Sequence, residues 1–397
     1  MRETMKKYFK GDPVIWVVIV ILSTISVLSV YSATGSLAYK HQGGNTSYYL
    51  FKQLFSLGIG VGIIVFIHNI NFRWIARFSF VALAISVGLL LVTLFAGVNL
   101  NMASRWLTIP GIGITFQPSE MAKLALIVWV ARLLAQHQKP DAPASEAFKP
   151  ILSWVAIVAG LIFRENLSTA LLIVAVSFAM MYVGRVPMKY LAGTGFIAIA
   201  AVVLLLLLAP KVDFLPRAAT WTARVEQFFD PEKADDASSY QSVQSKIAIA
   251  NGGLLGKGPG NSIQRNFIPH PYSDFIFAII AEEYGLFGPM VVILCYIILL
   301  ARIGVIIRKS NTTFPAFLAL GLGLMLVSQA FVNMGVAVGI FPVTGQPLPL
   351  ISLGTTSVFF TCASFGLILG VSRYNEEREK EAEGADDNDA GEQDEEG

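Results

Sequence analysis

Met290-Val291-Val292-Ile293-Leu294-Cys295-Tyr296-Ile297-Ile298-Leu299-Leu300 holds no charge and lies inside a longer apolar segment, 274–303. A helix crosses a bilayer core of about 30 Å with roughly 20 apolar residues, so this stretch reads as a membrane span. Working outward, nine more such runs occur near 14–34, 52–70, 76–97, 117–136, 150–163, 167–184, 188–209, 312–338 and 351–372. The fifth span, 150–163, is short, and 274–303 is long. The composition agrees: 54% of the 397 residues are hydrophobic and 14% charged, with a mean hydropathy of +0.62. Lipid cannot satisfy an open strand edge, and the runs lack the alternation of a barrel strand, which leaves helices. The expectation is an all-α polytopic membrane protein with about ten transmembrane helices and one large extracytoplasmic loop at 210–272. Residues 1–373 form the membrane domain. The first span shows no cleavable-signal pattern.

The formal charge of +2 hides two opposed regions. Residues 374–397 hold twelve of the 27 acids and only Arg378 and Lys380 among the 29 bases. That tail has too few apolar residues for a core and is expected to be disordered, acidic and cytoplasmic. With both termini inside, seventeen Lys and Arg fall on inner loops and ends, against Lys40, Lys52, Arg105 and Arg164 on short outer loops. This is the positive-inside bias; the long loop is exempt from it. Inner loops are short and carry no GxxxxGK[ST] motif, so any chemistry would draw on a substrate already activated in the lipid. Cys295 and Cys362 lie within spans, and His41, His68, His137 and His270 lack ligand spacing. No disulfide framework or zinc site is expected, nor is nucleic acid a partner.

In this orientation the unusual residues gather at the outer face. Glu120 opens the fourth span behind Pro118, and Lys123 follows on the same face at i+3. The two read either as a structural ion pair or as the lining of a headgroup cavity. Arg105, beside Trp106, could hold a phosphate, whereas interfacial anchoring needs only the Trp. In the large loop, Asn251-Gly252-Gly253-Leu254-Leu255-Gly256-Lys257-Gly258-Pro259-Gly260-Asn261-Ser262 allows close backbone approach to an anion, or is a plain run of turns. Asp274 follows His270-Pro271-Tyr272-Ser273, with Lys257 and Arg265 in the same loop. An acid there is either a helix cap or a general base whose charge the cations maintain. One carboxylate suffices for glycosyl transfer from a pyrophosphate, because that leaving group departs as an anion. Gly285, Gly288 and Pro289 make a break plausible between a short helix bearing Glu282 and Glu283 and the true span.

Together, Ala103-Ser104-Arg105-Trp106, Phe116-Gln117-Pro118-Ser119-Glu120-Met121-Ala122-Lys123, Ser273-Asp274-Phe275-Ile276-Phe277-Ala278 with Ala281-Glu282-Glu283-Tyr284-Gly285, and Phe341-Pro342-Val343-Thr344-Gly345 with Leu348-Pro349-Leu350-Ile351-Ser352 resemble the SEDS family (shape, elongation, division and sporulation). These are the FtsW and RodA peptidoglycan polymerases, and the resemblance covers about residues 12–373. It implies a glycosyltransferase of the bacterial cytoplasmic (inner) membrane that polymerises lipid II on the outer face. Asp274 matches the aspartate proposed to deprotonate the acceptor 4-hydroxyl, Glu120 and Lys123 the buried ion pair, and Arg105 the outer-loop arginine. Lys257, Arg265, His270, Ser273 and Ser352 complete the expected substrate-binding set. The implied partners are lipid II, a class B penicillin-binding protein, other division or elongation proteins and membrane lipid. No resident cofactor or metal site is expected; a divalent cation, Mg or Mn, is the one addition left open.

Three stretches depart from the family pattern. Glu165-Asn166-Leu167-Ser168-Thr169 stands for Pro-Asp-x-Gly-Thr, Leu353-Gly354-Thr355-Thr356-Ser357 for Tyr-Gly-Gly-Ser-Ser, and Tyr272-Ser273-Asp274 for His-Thr-Asp. The Gly258–Ser262 turn and the Val332–Val336 run are more similar to FtsW than to RodA, which implies septal synthesis in cell division. The alternatives are a RodA-type elongation polymerase, a lipid II flippase without chemistry, and a scaffold in which Asp274 would be dispensable.

Overall fold

The computed structural model describes residues 10–96, 98–100, 103–108, 115–138, 143–208, 218–229 and 236–395. The first described helix, α1 (Pro13–Ala33), lies where the first apolar run predicts it. Asp12 caps it, its Oδ1 accepting from Val14 N at 2.9 Å, and Pro13 opens the first turn. The Asp12 carboxylate also accepts from Arg302 Nε at 2.8 Å, which ties α1 to a helix 290 positions away. α2 (Gly35–His41), α3 (Ser47–Ile67) and α4 (Phe72–Ala96) follow. Next come three short strands, β1 (Val98–Leu100), β2 (Ala103–Thr108) and β3 (Thr115–Phe116), and then α5 (Pro118–Gln136), α6 (Ala144–Phe163), α7 (Leu167–Val183) and α8 (Met188–Leu208). The segment 210–272 contributes α9 (Ala218–Phe229), α10 (Asp236–Gly252) and a 3-10 turn, Gln264–Asn266. The chain ends with α11 (Ile276–Tyr284), α12 (Phe287–Lys309), α13 (Thr313–Val338) and α14 (Thr355–Glu395).

Among the described residues eight helices are long and apolar enough to cross a membrane: α1, α3, α4, α6, α8, α12, α13 and α14. The other two expected spans are α5, which carries Glu120, Lys123 and Arg132, and α7, of 17 residues. Ion pairs and hydrogen bonds gather Lys10, Asn69, Lys309, Arg373, Glu377 and Glu379 at one end of the bundle. α13 is the hub, packing against α5, α7, α12 and α14, whereas α8 turns Phe196, Ile197 and Ile199 outward.

Four features refine the picture drawn from the sequence, one of them an expected break. The eighth segment is two helices, parted at Gly285 with φ +60°, as its glycines and Pro289 suggested. The fifth span starts at Ala144, not 150: Pro150 lies inside α6, where it forgoes the hydrogen bond to the carbonyl four residues earlier without ending the helix. Within this all-α fold, β1, β2 and β3 add a small antiparallel sheet in that order, with Val98 opposite Trp106 and Leu107 opposite Phe116. Strands this short leave too little alternation to be read. Finally, α14 continues through the acidic segment instead of stopping near 373. An existing helix extends without a new nucleus, and Glu, Lys and Arg are good helix formers. Tertiary contacts fix the first turns: Tyr374 meets Phe72 edge-on, Asn375 Nδ2 donates to Ile306 O at 2.9 Å, and Glu377 and Glu379 pair with Lys10 and Lys309.

Candidate active site

Asp274 sits on a turn, not in a helix. Three successive carbonyls hold that turn: Tyr272 O accepts from Leu353 N at 2.9 Å, Ser273 O from Ser352 Oγ at 2.7 Å, and Asp274 O from Asn333 Nδ2 at 2.9 Å. Ser352 therefore acts from behind, its Oγ also accepting from Leu348 N at 2.8 Å. His270 adopts φ +56° at the start of the turn, and its Nδ1 lies 3.0 Å from Tyr272 Oη. α11 begins at Ile276 with Phe275 at its cap position. The Asp274 carboxylate thus does not serve as a helix cap; its hydrogen bond is from Ser273 Oγ to Oδ1, 2.9 Å. On the Oδ2 side lies Gly345, at φ +66°, where a Cβ would come within 3.6 Å.

Burial raises the Asp274 pKa, opposed by the Ser273 hydrogen bond and by the charges of His270 and Arg224. Arg224, on α9, is itself lowered by burial and raised by Asp274. The phenol of Tyr272 is pushed up to about 12, by burial first and then by Tyr49 and Asp274. The turn therefore presents a partly desolvated carboxylate with a cation in electrostatic reach.

A chain of hydrogen bonds links this turn to the buried ion pair of α5. Lys123 Nζ lies 2.7 Å from Glu120 Oε1 and donates to Gln329 Oε1 at 3.1 Å. Gln329 Nε2 donates to Pro347 O at 3.0 Å, and Asn333 Nδ2 bridges Gln346 O (2.7 Å) and Asp274 O. Gln346 Nε2 donates to Thr169 Oγ1, and Asn166 caps α7 by accepting from Thr169 N at 3.2 Å. Glu120 and Lys123 are under a tenth exposed, so the pair braces the 345–348 segment without reaching Asp274. Asn166 retains a capping function without the charge of an aspartate.

Two expected anion ligands are committed elsewhere. Lys257 Nζ pairs with Glu282 Oε1 at 2.7 Å, and Arg265 Nη1 donates to Ser32 O at 3.2 Å and Ser32 Oγ at 3.1 Å. Ser32 Oγ in turn donates to Glu283, whose pKa burial raises. Glu282 is fully buried and also accepts from Ser262 Oγ, Ile263 N and Gln264 N. The glycine-rich stretch belongs to the same clasp. Lys257 N donates to Glu282 O at 3.0 Å and Gly258 N to Glu283 O at 2.9 Å, while Gly256, at φ +78°, lies where a Cβ would be 2.2 Å from Glu283 O. It is a turn that docks on α11, not an anion cradle. Arg105 lies in β2, and its side chain is outside the described residues.

Beside the turn, a largely apolar cavity of about 390 Å³ opens between α7, α8, α9 and the 341–346 segment. Its polar lining includes Asn166, Ser168, Arg224, Thr344 and Gln346. Sequence reasoning missed Arg224, Gln329, Asn333 and Gln346. The signal for two of them was present: Gln329 and Asn333 stand four residues apart on one face of an apolar span, where amides demand partners. Among the described residues no group of three His, Cys, Asp or Glu could hold a metal ion.

Comparisons with known proteins agree with this architecture. The FtsW/RodA/SpoVE family model, described as cell cycle protein, matches residues 12–377. A probable peptidoglycan glycosyltransferase FtsW of Trichlorobacter lovleyi is 32% identical over 94% of this chain and 96% of its own. Stage V sporulation protein E of Bacillus subtilis is 32% identical over 92% and 97%. A chain from a solved peptidoglycan synthase complex, described as coordinating polymerization and crosslinking, superposes with a TM-score of 0.71 at 27% identity, over 92% of this chain and 98% of that one. The rod shape determining protein RodA of Thermus thermophilus shares the fold, with a TM-score of 0.66 at 24% identity, over 92% and 98%. With a match across nearly its whole membrane portion, the chain belongs to the FtsW/RodA/SpoVE family of cell cycle proteins.

Proposed function

We propose that this chain is an FtsW-type peptidoglycan glycosyltransferase that polymerises lipid II at the division septum, with Asp274 as general base. The observation that carries the reading is the Asp274 turn itself, a half-buried carboxylate that caps no helix. It is held by three carbonyl hydrogen bonds beside an apolar cavity whose described lining holds one cation, Arg224. Asp274 accepts the proton of the acceptor sugar's 4-hydroxyl, and the oxygen forms its new bond to the anomeric carbon of the lipid-linked donor. The bond from that carbon to the pyrophosphate breaks, and its electron pair leaves with the phosphate oxygen. Burial makes Asp274 a stronger base than an exposed aspartate, and Arg224 and His270 favour its ionised form. The 390 Å³ cavity would take the apolar part of the substrate, with Arg224 at the pyrophosphate.

The loop end of the bundle would then face outward from the bacterial cytoplasmic membrane, with both termini inside. The count of Lys and Arg on inner loops supports that orientation. A class B penicillin-binding protein would cross-link the strands, in keeping with the solved synthase complex. The test is purified protein with its cognate transpeptidase and labelled lipid II, wild type beside Asp274→Ala and Asp274→Asn. Glycan chains from wild type alone are expected. Equal polymerisation by either variant would remove Asp274 from the mechanism, and lipid scrambling without product would favour a transporter.

A further inference from the structure

At the end of the bundle opposite Asp274, the start of α4, the end of α5, the start of α13 and Tyr374 of α14 enclose a recess of about 730 Å³. Arg73, Arg77 and Arg132 line it, together with Phe314, Thr312 and Tyr374. We propose that this recess binds the phosphate headgroup of an anionic membrane lipid, with the acyl chain lying along Trp74 and Phe78. The ligand class is a lipid phosphodiester, and the site is separate from the polymerisation centre.

A charge bias at helix ends needs neither concavity nor order, and this recess has both. The Arg77 guanidinium lies over the Trp74 ring at 5.7 Å and that of Arg132 over Trp129 at 5.4 Å. Arg132 Nη1 also donates to Ala76 O at 2.8 Å, which fixes α5 against α4 and sets the wall of the recess. Among the described residues no carboxylate lines it. The acids on the adjoining turns of α14 are engaged elsewhere: Glu376 with Ser372, Glu377 with Lys10 and Glu379 with Lys309. Thr312 adds a buried hydroxyl oxygen without a hydrogen-bond partner, at the cap position of α13, where it makes no cap bond. Guanidinium forks match phosphate oxygens in pairs, which a diffuse positive surface does not require.

The aromatic flank selects a lipid over free phosphate. Trp74 and Phe78 are 53% and 51% exposed and stack at 5.7 Å with their planes 8° apart. They stand one residue after Arg73 and Arg77 respectively, so α4 carries a cationic row and an aromatic row side by side. A headgroup in the recess would continue directly into a chain on that flank. Free phosphate would use the arginines and leave the aromatic row unexplained.

The experiment is native mass spectrometry of the purified, delipidated full chain, titrated with phosphatidylglycerol, with phosphatidylcholine, and with inorganic phosphate. Wild type should retain phosphatidylglycerol and not phosphatidylcholine. Arg73→Gln/Arg77→Gln should retain roughly 25-fold less, about fivefold for each charge removed near a membrane surface. Both arginines are exposed, so the pair can be changed without disturbing the core. Arg73→Lys/Arg77→Lys, which keeps the charge and loses the forks, should fall between, and Trp74→Ala/Phe78→Ala should weaken lipid retention with the cations intact. Equal retention by wild type and the Gln pair, or equal retention of the two lipids, would overturn the proposal. Displacement of bound lipid by equimolar inorganic phosphate would make this a free-phosphate site and overturn the lipid assignment.

Discussion

Lys123 separates two roles that family resemblance alone leaves together, holding substrate and holding the protein. Its ammonium lies 2.7 Å from Glu120 and 3.1 Å from Gln329, and both charged side chains are buried. Lys123→Ala would leave the Glu120 carboxylate without its counter-charge, a change that costs about 3–5 kcal/mol when one partner of a buried pair is lost. Gln329 would lose the donor that orients it and with it the hold on Pro347 O, so the 345–348 segment would slacken against Asp274. A misplacement of about 1 Å near a reacting group lowers the rate by roughly 100-fold. The expected result is a lower unfolding temperature and a kcat down by about that factor, with KM for lipid II unchanged.

The double variant Glu120→Gln/Lys123→Met supplies the discriminating arm. It removes both charges at nearly constant volume, and such replacements are often neutral or stabilising. Stability should return to within about 1 kcal/mol of wild type, while kcat stays low because the methionine has no donor for Gln329 Oε1. Thermal unfolding in detergent and initial-rate polymerisation of labelled lipid II, across substrate concentration, read the two quantities separately. A double variant that folds well but shows a raised KM would mean that the pair contacts substrate, and the bracing argument would fail. A double variant as unstable as Lys123→Ala would refute the energetic reasoning.

Three further outcomes follow from the same geometry. Arg224→Gln removes a charge that lowers the Asp274 pKa, so that pKa rises and the acidic limb of the pH–activity profile moves to higher pH, while Arg224→Lys restores it; an unmoved limb in Arg224→Gln would dissociate the two residues. Glu282→Ala strands Lys257, Ser262 Oγ and two backbone N–H groups and should lower the unfolding temperature more than Lys257→Ala, which leaves Glu282 three donors; a raised KM for lipid II in Lys257→Ala at normal stability would return that lysine to the substrate site. Gly256→Ala drives a Cβ into the backbone of Glu283 and Gly285 at a left-handed φ and should destabilise by about 1–3 kcal/mol or more, measured by thermal unfolding; a wild-type melting temperature would show that the clasp does not need its glycine.

How legible each part was follows from which forces are local. The spans could be read because a bilayer demands apolar runs of fixed length, and the break at Gly285 because its backbone conformation favours glycine. Asp274 could be found but not interpreted: cap and base differ only in whether the helix starts at 275 or 276, and tertiary bonds from Ser352, Leu353 and Asn333 decide that. The cations near it were misjudged for one physical reason. Lys257 and Arg265 are neighbours of Asp274 in sequence, but Glu282 and Glu283 are more deeply buried and sit closer to them in space. A buried carboxylate draws a cation before a half-buried one does, since the cost of leaving it unpaired is greater. With those two withdrawn, the guanidinium whose charge reaches Asp274 is Arg224, fifty positions upstream on a helix inside an expected loop. That residue also lines the cavity proposed to admit the lipid chain, so substrate entry and the ionisation of the base depend on one side chain. On this reading a displaced α9 would lower lipid II affinity and shift the acidic limb together, whereas a displaced clasp would do neither until α11 itself unfolds.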